Sequence, residues 1–247
     1  MTTVTIVIPA HNAGRFIRFA VRGALANEGA QVIVVAHGCT DDTIAEAEKE
    51  DPGHRLTLLV MAHGGGPSRA KNYGMSWAKG EYITFLDADD VMVAGSLDQR
   101  IERLKSNPRA IATFARIEGL IDEAGEPRFD DSFLLWCRRA YAVNRNIDHL
   151  TGRDIAGNLL VGYATLVYRR AMLEEVGEFD ETLSRAEDFD FAYRCAAVGP
   201  IVFTDVPAMY YRIHDANTSV GWGTRIYLRP ETAAAHERAL RKHGLKT

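Results

Sequence analysis

The first ninety residues alternate between short, continuous apolar runs and longer stretches with helical spacing, and few folds accommodate that pattern. Val4 to Ile8 is a β-branched run stopped by Pro9, which reads as a buried strand. Phe16, Ile17, Ala20, Val21, Ala24 and Leu25 then recur at helical spacing. Val32 to Val35 is a second buried strand, followed by a helix that opens near Asp41, Asp42 and Thr43. Leu56 to Met61 is a third strand, and Ser68 to Lys79 a third helix with Gly80 as its stop. Tyr82 to Leu86 is a fourth strand. Strands this uniformly apolar are covered on both faces, so the expected fold is α/β: a Rossmann-like, mostly parallel sheet flanked by helices. Such sheets bind ligands at the carboxyl ends of their strands. Four ends should therefore share one edge: Pro9 to Asn12, Ala36 to Thr40, His63 to Gly66 and Asp87 to Asp90.

Beyond Asp90 the alternation weakens. Leu97 to Leu104 suggests a helix, Ala110 to Ile117 a strand, and Asp122 to Pro127 a hairpin turn. Residues 131 to 160 mix aromatics and arginines without a period that places them. Leu160 to Tyr168 looks extended, while Arg170 to Val176 and Phe189 to Ala197 look helical. Pro200 to Phe203 and Met209 to Ile213 read as two later strands, before a polar loop from Asn217 to Thr224 and a final helix from Glu231 to His243. The division this suggests is a ligand-binding half over 1–90, a second half of the same domain over 91–230 with a smaller β region, and a helical tail over 231–247.

A formal net charge of −4 argues against a general nucleic-acid binder, which needs a basic balance. Cys39, Cys137 and Cys195 are odd in number and lack metal-ligand spacing, so no disulfide framework is expected and a cytoplasmic setting is. The opening Met1 to Val4 has no charged region leading into a long apolar run, so no leader is expected. No stretch approaches the ~18 apolar residues of a membrane span. Any membrane association should be peripheral, at the inner membrane surface.

Chemistry concentrates at Asp87-Ala88-Asp89, where two carboxylates end a buried strand. Hard oxygen ligands of this kind suit Mg²⁺ or Mn²⁺, with a diphosphate completing the shell. An isolated pair of this spacing is more often a solvated acidic turn. Its position at the expected ligand edge favours the metal reading.

The order of motifs resembles inverting glycosyltransferases of family 2, which have the GT-A fold. The resemblance rests on Gly66-Pro67-Ser68-Arg69-Ala70-Lys71-Asn72-Tyr73-Gly74, Ala78-Lys79-Gly80-Glu81-Tyr82 and Phe85-Leu86-Asp87-Ala88-Asp89-Asp90. Ile6 to Asn12 resembles that family's opening strand and loop, and Leu173 to Glu181 the segment before its acidic pair, here Glu187-Asp188. Tyr211-Arg212-Ile213-His214 resembles its late strand-end motif. The resemblance implies a nucleotide-diphospho-sugar donor, a carbohydrate or other hydroxyl acceptor as in polysaccharide biosynthesis, and Mn²⁺ or Mg²⁺ as cofactor. It implies Asp89 as metal ligand, Asp87 at the ribose or a second metal position, and Asp188 as catalytic base. Pro9, Ala10 and Asn12 would line the nucleotide pocket, largely through backbone, and Arg69 or Lys71 would meet phosphate or nucleotide. Lys71 stands where the family more often has arginine, replacing a fork with a point charge.

His214 is a further metal candidate, weighed equally against an ordinary surface or core histidine, with a lid over the diphosphate formed by 217–224 and its Trp222. The family usually carries aspartates after the second strand, where this chain has Ala36-His37. His37 is then the side chain left to meet a nucleobase, and the usual uridine preference is in doubt. Two alternatives compete: a catalytically silent sugar-nucleotide-binding protein, and a sugar-phosphate nucleotidyltransferase. The second needs a glycine-rich basic loop after the first strand, and Pro9 to Arg15 does not supply one.

Overall fold

A computed structural model describes residues 3–51, 53, 55–128, 132–156, 160, 162–183, 185–215, 217, 219–221, 226–228, 237 and 241–244. The chain opens with β1 (Val4–Ala10), every residue of which is buried, then α1 (Ile17–Leu25). The helix buries Ile17, Ala20, Val21, Ala24 and Leu25, the stripe its spacing foretells. There follow β2 (Gln31–His37), α2 (Thr43–Lys49), β3 (Leu56–Met61), α3 (Gly66–Ser76) and β4 (Tyr82–Phe85). β1 pairs in parallel with both β2 and β4, and β2 in parallel with β3. The four expected strand ends therefore do lie on one edge.

Gly80 is not the helix stop expected of it: α3 ends at Ser76. A Cβ on Gly80 would sit 2.7 Å from the Thr5 backbone nitrogen, and its N–H donates to Thr5 Oγ1 at 3.0 Å. Glycine is needed there because the chain crosses close against β1 on its way into β4.

The second half adds β5 (Val91–Met92), α4 (Ser96–Lys105), β6 (Ala112–Ile121), β7 (Pro127–Arg128), α5 (Ser132–Asn144), α6 (Gly152–Ala156), β8 (Val167–Arg169), α7 (Leu173–Val176), α8 (Glu187–Val198) and β9 (Ile201–Arg212). β10 (Ser219–Gly221) and β11 (Ile226–Leu228) form a separate antiparallel ribbon. One nine-stranded sheet runs in the order β3-β2-β1-β4-β8-β6-β9-β5, with β7 on β6. β6 and β9 pair in parallel, whereas β8 is antiparallel to its neighbours β4 and β6. The sheet is thus continuous across residue 90 and mostly parallel, as expected.

Several expectations are corrected. The two strands at 200–203 and 209–213 are a single strand, β9. The polar break that divided them, Thr204 to Pro207, falls where the pairing with β6 shifts register, and Asp205 there ion-pairs with Arg116 at 2.8 Å and Arg145 at 2.6 Å. The segment 160–168 is not simply extended, because a 3₁₀ turn at Tyr163–Thr165 precedes β8. Within 131–160, α5 and α6 appear. The outer face of α5 exposes Leu135 and Val143, which blurs the period that would have revealed it. The helix expected over 231–243 lies largely outside the described residues, as does Trp222 of the expected lid.

Candidate active site

Two groups of side chains meet where β1, β4 and β9 end. The first is built around Asp89. His214, just past β9, brings Nε2 to 2.9 Å from Asp89 Oδ2, with its ring tilted against Phe16 at 4.7 Å between centroids. Arg212, fully buried at the end of β9, joins the two strand ends. Its Nε donates to the Asp89 carbonyl at 2.8 Å, and its backbone N–H donates to Asp90 Oδ1 at 2.9 Å. The same guanidinium donates to the carbonyls of Asp122 at 2.7 Å and Glu123 at 3.2 Å, and lies over the rings of Phe16 and Phe19. Asn217 braces the turn, accepting the His214 N–H at 2.5 Å and donating to the Arg212 carbonyl at 3.1 Å. The sequence motif contained Arg212, but nothing local marked it as the clamp. That role depends on β9 lying beside the Asp87–Asp90 turn.

The second group surrounds Asp188, on the first turn of α8. Asp87, Lys71, Phe85, Tyr163, Ala164, Tyr168, Phe179 and Asp188 line a cavity of about 20 Å³, near the size of one water. Lys71 is buried and bonds Glu187 Oε1 at 2.7 Å. Burial alone would lower its ammonium, but the carboxylates of Glu187, Asp87 and Asp188 outweigh it and hold Lys71 protonated. Burial, with Glu187 adding to it and Lys71 opposing, pushes Asp188 up to about 7. Burial also pushes Asp87 up to about 6, with Asp89 and Glu187 contributing against Lys71. Tyr163 and Tyr168 are raised by burial, so both remain neutral phenols beside the carboxylates. Ala186, immediately before α8, adopts φ +58, a left-handed conformation that costs a non-glycine residue of order 1–3 kcal/mol.

The candidate donor residues separate into three places. Pro9 and Ala10 are buried in β1, so backbone alone could meet a ligand there. Asn12 turns its Oδ1 to the Thr40 N–H at 2.8 Å, locking the first two strand-end loops together. His37 is 6% exposed, and stacks on His11 at 5.2 Å between centroids. Its carbonyl takes a 2.7 Å bond from His11 Nδ1, which must then carry the proton. Burial, then the neighbouring His11, lowers His37, so it is a neutral ring. Arg69 and Lys71, the two candidates for meeting phosphate or nucleotide, lie apart. Two helical residues apart, they face opposite flanks of α3. Arg69 lines a shallow cleft of about 480 Å³ with Val60, His63, Tyr73, Glu178 and Glu181. That larger cleft contains none of the carboxylates of the Asp87–Asp89 turn and not Asp188, so the chemistry is placed by the carboxylate groups rather than by cavity size.

Among the described residues, Lys71 opposes the carboxylates of Asp87 and Asp188 and pairs with Glu187, Arg212 opposes Asp90, and Asp90 Oδ2 is buried without a hydrogen-bond partner. An excess of negative charge with the Asp89–His214 nitrogen-oxygen pair fits a divalent cation. Among the described residues no three His, Cys, Asp or Glu side chains converge on one point. A cation here would therefore draw on few protein ligands and on the oxygens of a bound diphosphate, which is how Mg²⁺-type sites are commonly completed.

Residues 5–177 match the sequence model of glycosyl transferase family 2. The succinoglycan biosynthesis protein ExoU of Rhizobium meliloti is 32% identical over 209 residues, which cover 80% of this chain and 58% of that protein. ExoO of the same organism is 28% identical over 98% of this chain and 69% of its own length. The chain spans between 30% and 65% of the length of several rickettsial glycosyltransferases that it also matches. Among solved structures, S. aureus TarS 1–349 in complex with UDP-GlcNAc superposes with a TM-score of 0.68 at 18% identity, covering 97% of this chain and 66% of that one. The mannosyltransferase PcManGT of Pyrobaculum calidifontis, in complex with GDP-Man and Mn²⁺, gives 0.64 at 19% identity over 87% of this chain and 58% of that one. At these identities the structural likeness establishes a shared fold. No described helix is long and apolar enough to cross a membrane.

Proposed function

Because the chain belongs to glycosyl transferase family 2, we propose that it moves a sugar from a nucleotide-diphosphate donor to an acceptor hydroxyl with inversion, using a divalent cation and Asp188 as general base. The observation that carries the reading is the position of Asp188: a buried carboxylate raised to about 7, in one cavity with Lys71 and with Asp87, which in turn feels the charge of Asp89. A base poised near neutral pH accepts a proton most effectively there. As the acceptor oxygen bonds the anomeric carbon, its proton passes to Asp188 and the bond to the diphosphate breaks. One displacement needs one base, so a second carboxylate nucleophile is unnecessary. Lys71 opposes the negative neighbours and keeps Asp188 able to ionise.

Asp89 and His214 would hold the Mn²⁺ or Mg²⁺, with Asp87 behind them at the ribose or as a further carboxylate on the cation. When bound, that ion supplies electrostatic stabilisation of the charge developing on the leaving diphosphate. Arg212 fixes the turn that carries Asp89. Pro9 and Ala10 through backbone, with Asn12 and His37, would shape the nucleotide pocket. In this reading residues 1–90 bind the donor, and 91–230 supply the base and the acceptor side. Similarity to succinoglycan biosynthesis proteins supports a glycan or related hydroxyl acceptor, and the reading places the site of action in the cytoplasm, at or near the inner membrane surface.

Asp188→Asn tests the assignment. Donor affinity should persist while turnover falls by roughly 10²–10⁴-fold, the usual contribution of a general base. Near-wild-type turnover in that variant would make Asp188 structural.

A further inference from the structure

Asp190 lies two residues beyond Asp188 on α8 and is fully buried, yet two cations and an imidazole converge on it. Its Oδ2 accepts from Arg194 Nε at 2.9 Å, while Oδ1 meets Lys242 Nζ at 2.8 Å and His243 Nε2 at 2.9 Å. Lys242 also grips Asp180 Oδ2 at 2.7 Å, on the loop that leads from α7 into α8. Arg194 donates to the carbonyls of Val176 at 2.6 Å and Glu178 at 2.8 Å, closing the same loop from within. The His243 ring leans on Tyr193 of α8 at 4.3 Å between centroids. Burial would raise Asp190, but Lys242, Arg194 and His243 together hold it below the usual carboxylate range.

These contacts close a frame around the start of α8. On one side α3 holds it: Asn72 exchanges bonds with Phe179, Ser68 bonds the Leu183 carbonyl, and Lys71 pairs with Glu187. Lys242 and His243 hold the other side. Between the two sits Ala186, whose left-handed backbone persists only if its surroundings over-determine it. We propose that Lys242 and His243 are positioning residues for the transfer reaction, clamping Asp190 and Asp180 from the far end of the sequence and so fixing where α8 presents Asp188. The inference rests on the reading of Asp188 as the base. A proton acceptor works only in near-attack geometry, so a small shift of the first turn of α8 is costly in rate while leaving donor contacts on β1, β2 and β4 intact.

Lys242→Ala, Lys242→Arg and His243→Gln in the full chain test it, using whichever of UDP-GlcNAc and GDP-mannose the wild type turns over. Lys242→Ala should lower kcat by about 10²-fold, the scale of an ångström-level misplacement. Its Mn²⁺-dependent Kd for UDP or GDP should stay at the wild-type value, and Lys242→Arg should restore most of the rate. Amide exchange over Phe189 to Phe191 should speed up in Lys242→Ala irrespective of any donor. Wild-type kcat, or unchanged exchange at these amides, would overturn the proposal. Should Lys242→Ala fail to fold, His243→Gln carries the test on the same readouts, since it leaves Lys242 and Arg194 on Asp190. An active Asp188→Asn variant would instead sink the base assignment. Loss of activity in Asp188→Asn beside a normal Lys242→Ala would refute the clamp alone.

Discussion

Replacing Lys71 by Met removes the cation that Glu187 Oε1 bonds at 2.7 Å, in a site where the two side chains are only 7% and 9% exposed. Glu187 is then a buried carboxylate without its partner, facing Asp87 and Asp188 of like charge. Breaking a buried pair from one side costs about 3–5 kcal/mol, because the remaining ion can neither regain water nor find a counter-charge. The reverse substitution should be milder. In Glu187→Gln the Lys71 ammonium keeps Asp87 and Asp188 as electrostatic partners, so the expected loss is about 1–2 kcal/mol, near that of a hydrogen bond to a charged group. The double variant replaces both ions with neutral side chains of similar volume and should fall within about 2 kcal/mol of wild type. The single losses sum to about 4–7 kcal/mol, so the cycle should return a coupling of at least about 2 kcal/mol, and about 4–7 kcal/mol if the double variant is neutral. Equilibrium urea unfolding of the four proteins, without metal or nucleotide, measures it. By heat, Lys71→Met should melt about 6–20 °C lower, at about 2–4 °C per kcal/mol for a chain of this size. A Lys71→Met loss below about 1 kcal/mol, or a larger loss in Glu187→Gln, would refute the view that Lys71 serves chiefly as counter-ion to this acidic cluster.

Arg212→Lys should weaken Mn²⁺-dependent nucleoside diphosphate binding by roughly 10–100-fold, the usual effect of losing a group that orients a metal ligand, since one ammonium cannot reach the carbonyls of Asp89, Asp122 and Glu123 together. Calorimetric titration reads this, and an unchanged affinity would remove Arg212 from any role at the metal. The acid limb of kcat/KM should lie near the raised Asp188 value of about 7. The base works only when ionised, so the rate should climb as pH rises through that value and fall below it. A limb at an ordinary carboxylate value would mean that another group accepts the proton. Gly74→Ala should cost about 1–3 kcal/mol by overpacking, because the added Cβ would sit 2.4 Å from Val7 Cγ1 and 3.1 Å from Val35 Cγ2 and lift α3 off the sheet. Unfolding at the wild-type midpoint would show that α3 has slack there.

What the sequence determined by itself is what local pattern encodes. The buried run of β1, the five-residue stripe of α1 and the turn after β4 follow from hydrophobic period and strand-ending residues within a few positions of each other. A parallel order of β1 to β4 then obliges Asn12, His37 and Asp89 to share an edge, so half of the site was legible before any coordinates. The second half was not. The sequence pattern divides β9 because Asp205 and Pro207 break its apolar run, and only the ion pairs to Arg116 and Arg145 and the register shift on β6 show how the strand continues. Tertiary structure alone decided that Lys71 turns towards Glu187 while Arg69 turns away, that Arg212 spans two strand ends, and that Lys242 and His243 reach back to Asp190. Each depends on a charged side chain meeting a partner far away in sequence. A charged residue carries no periodic signal for its partner, because what selects the partner is desolvation in the assembled core, and that exists only once the chain has folded.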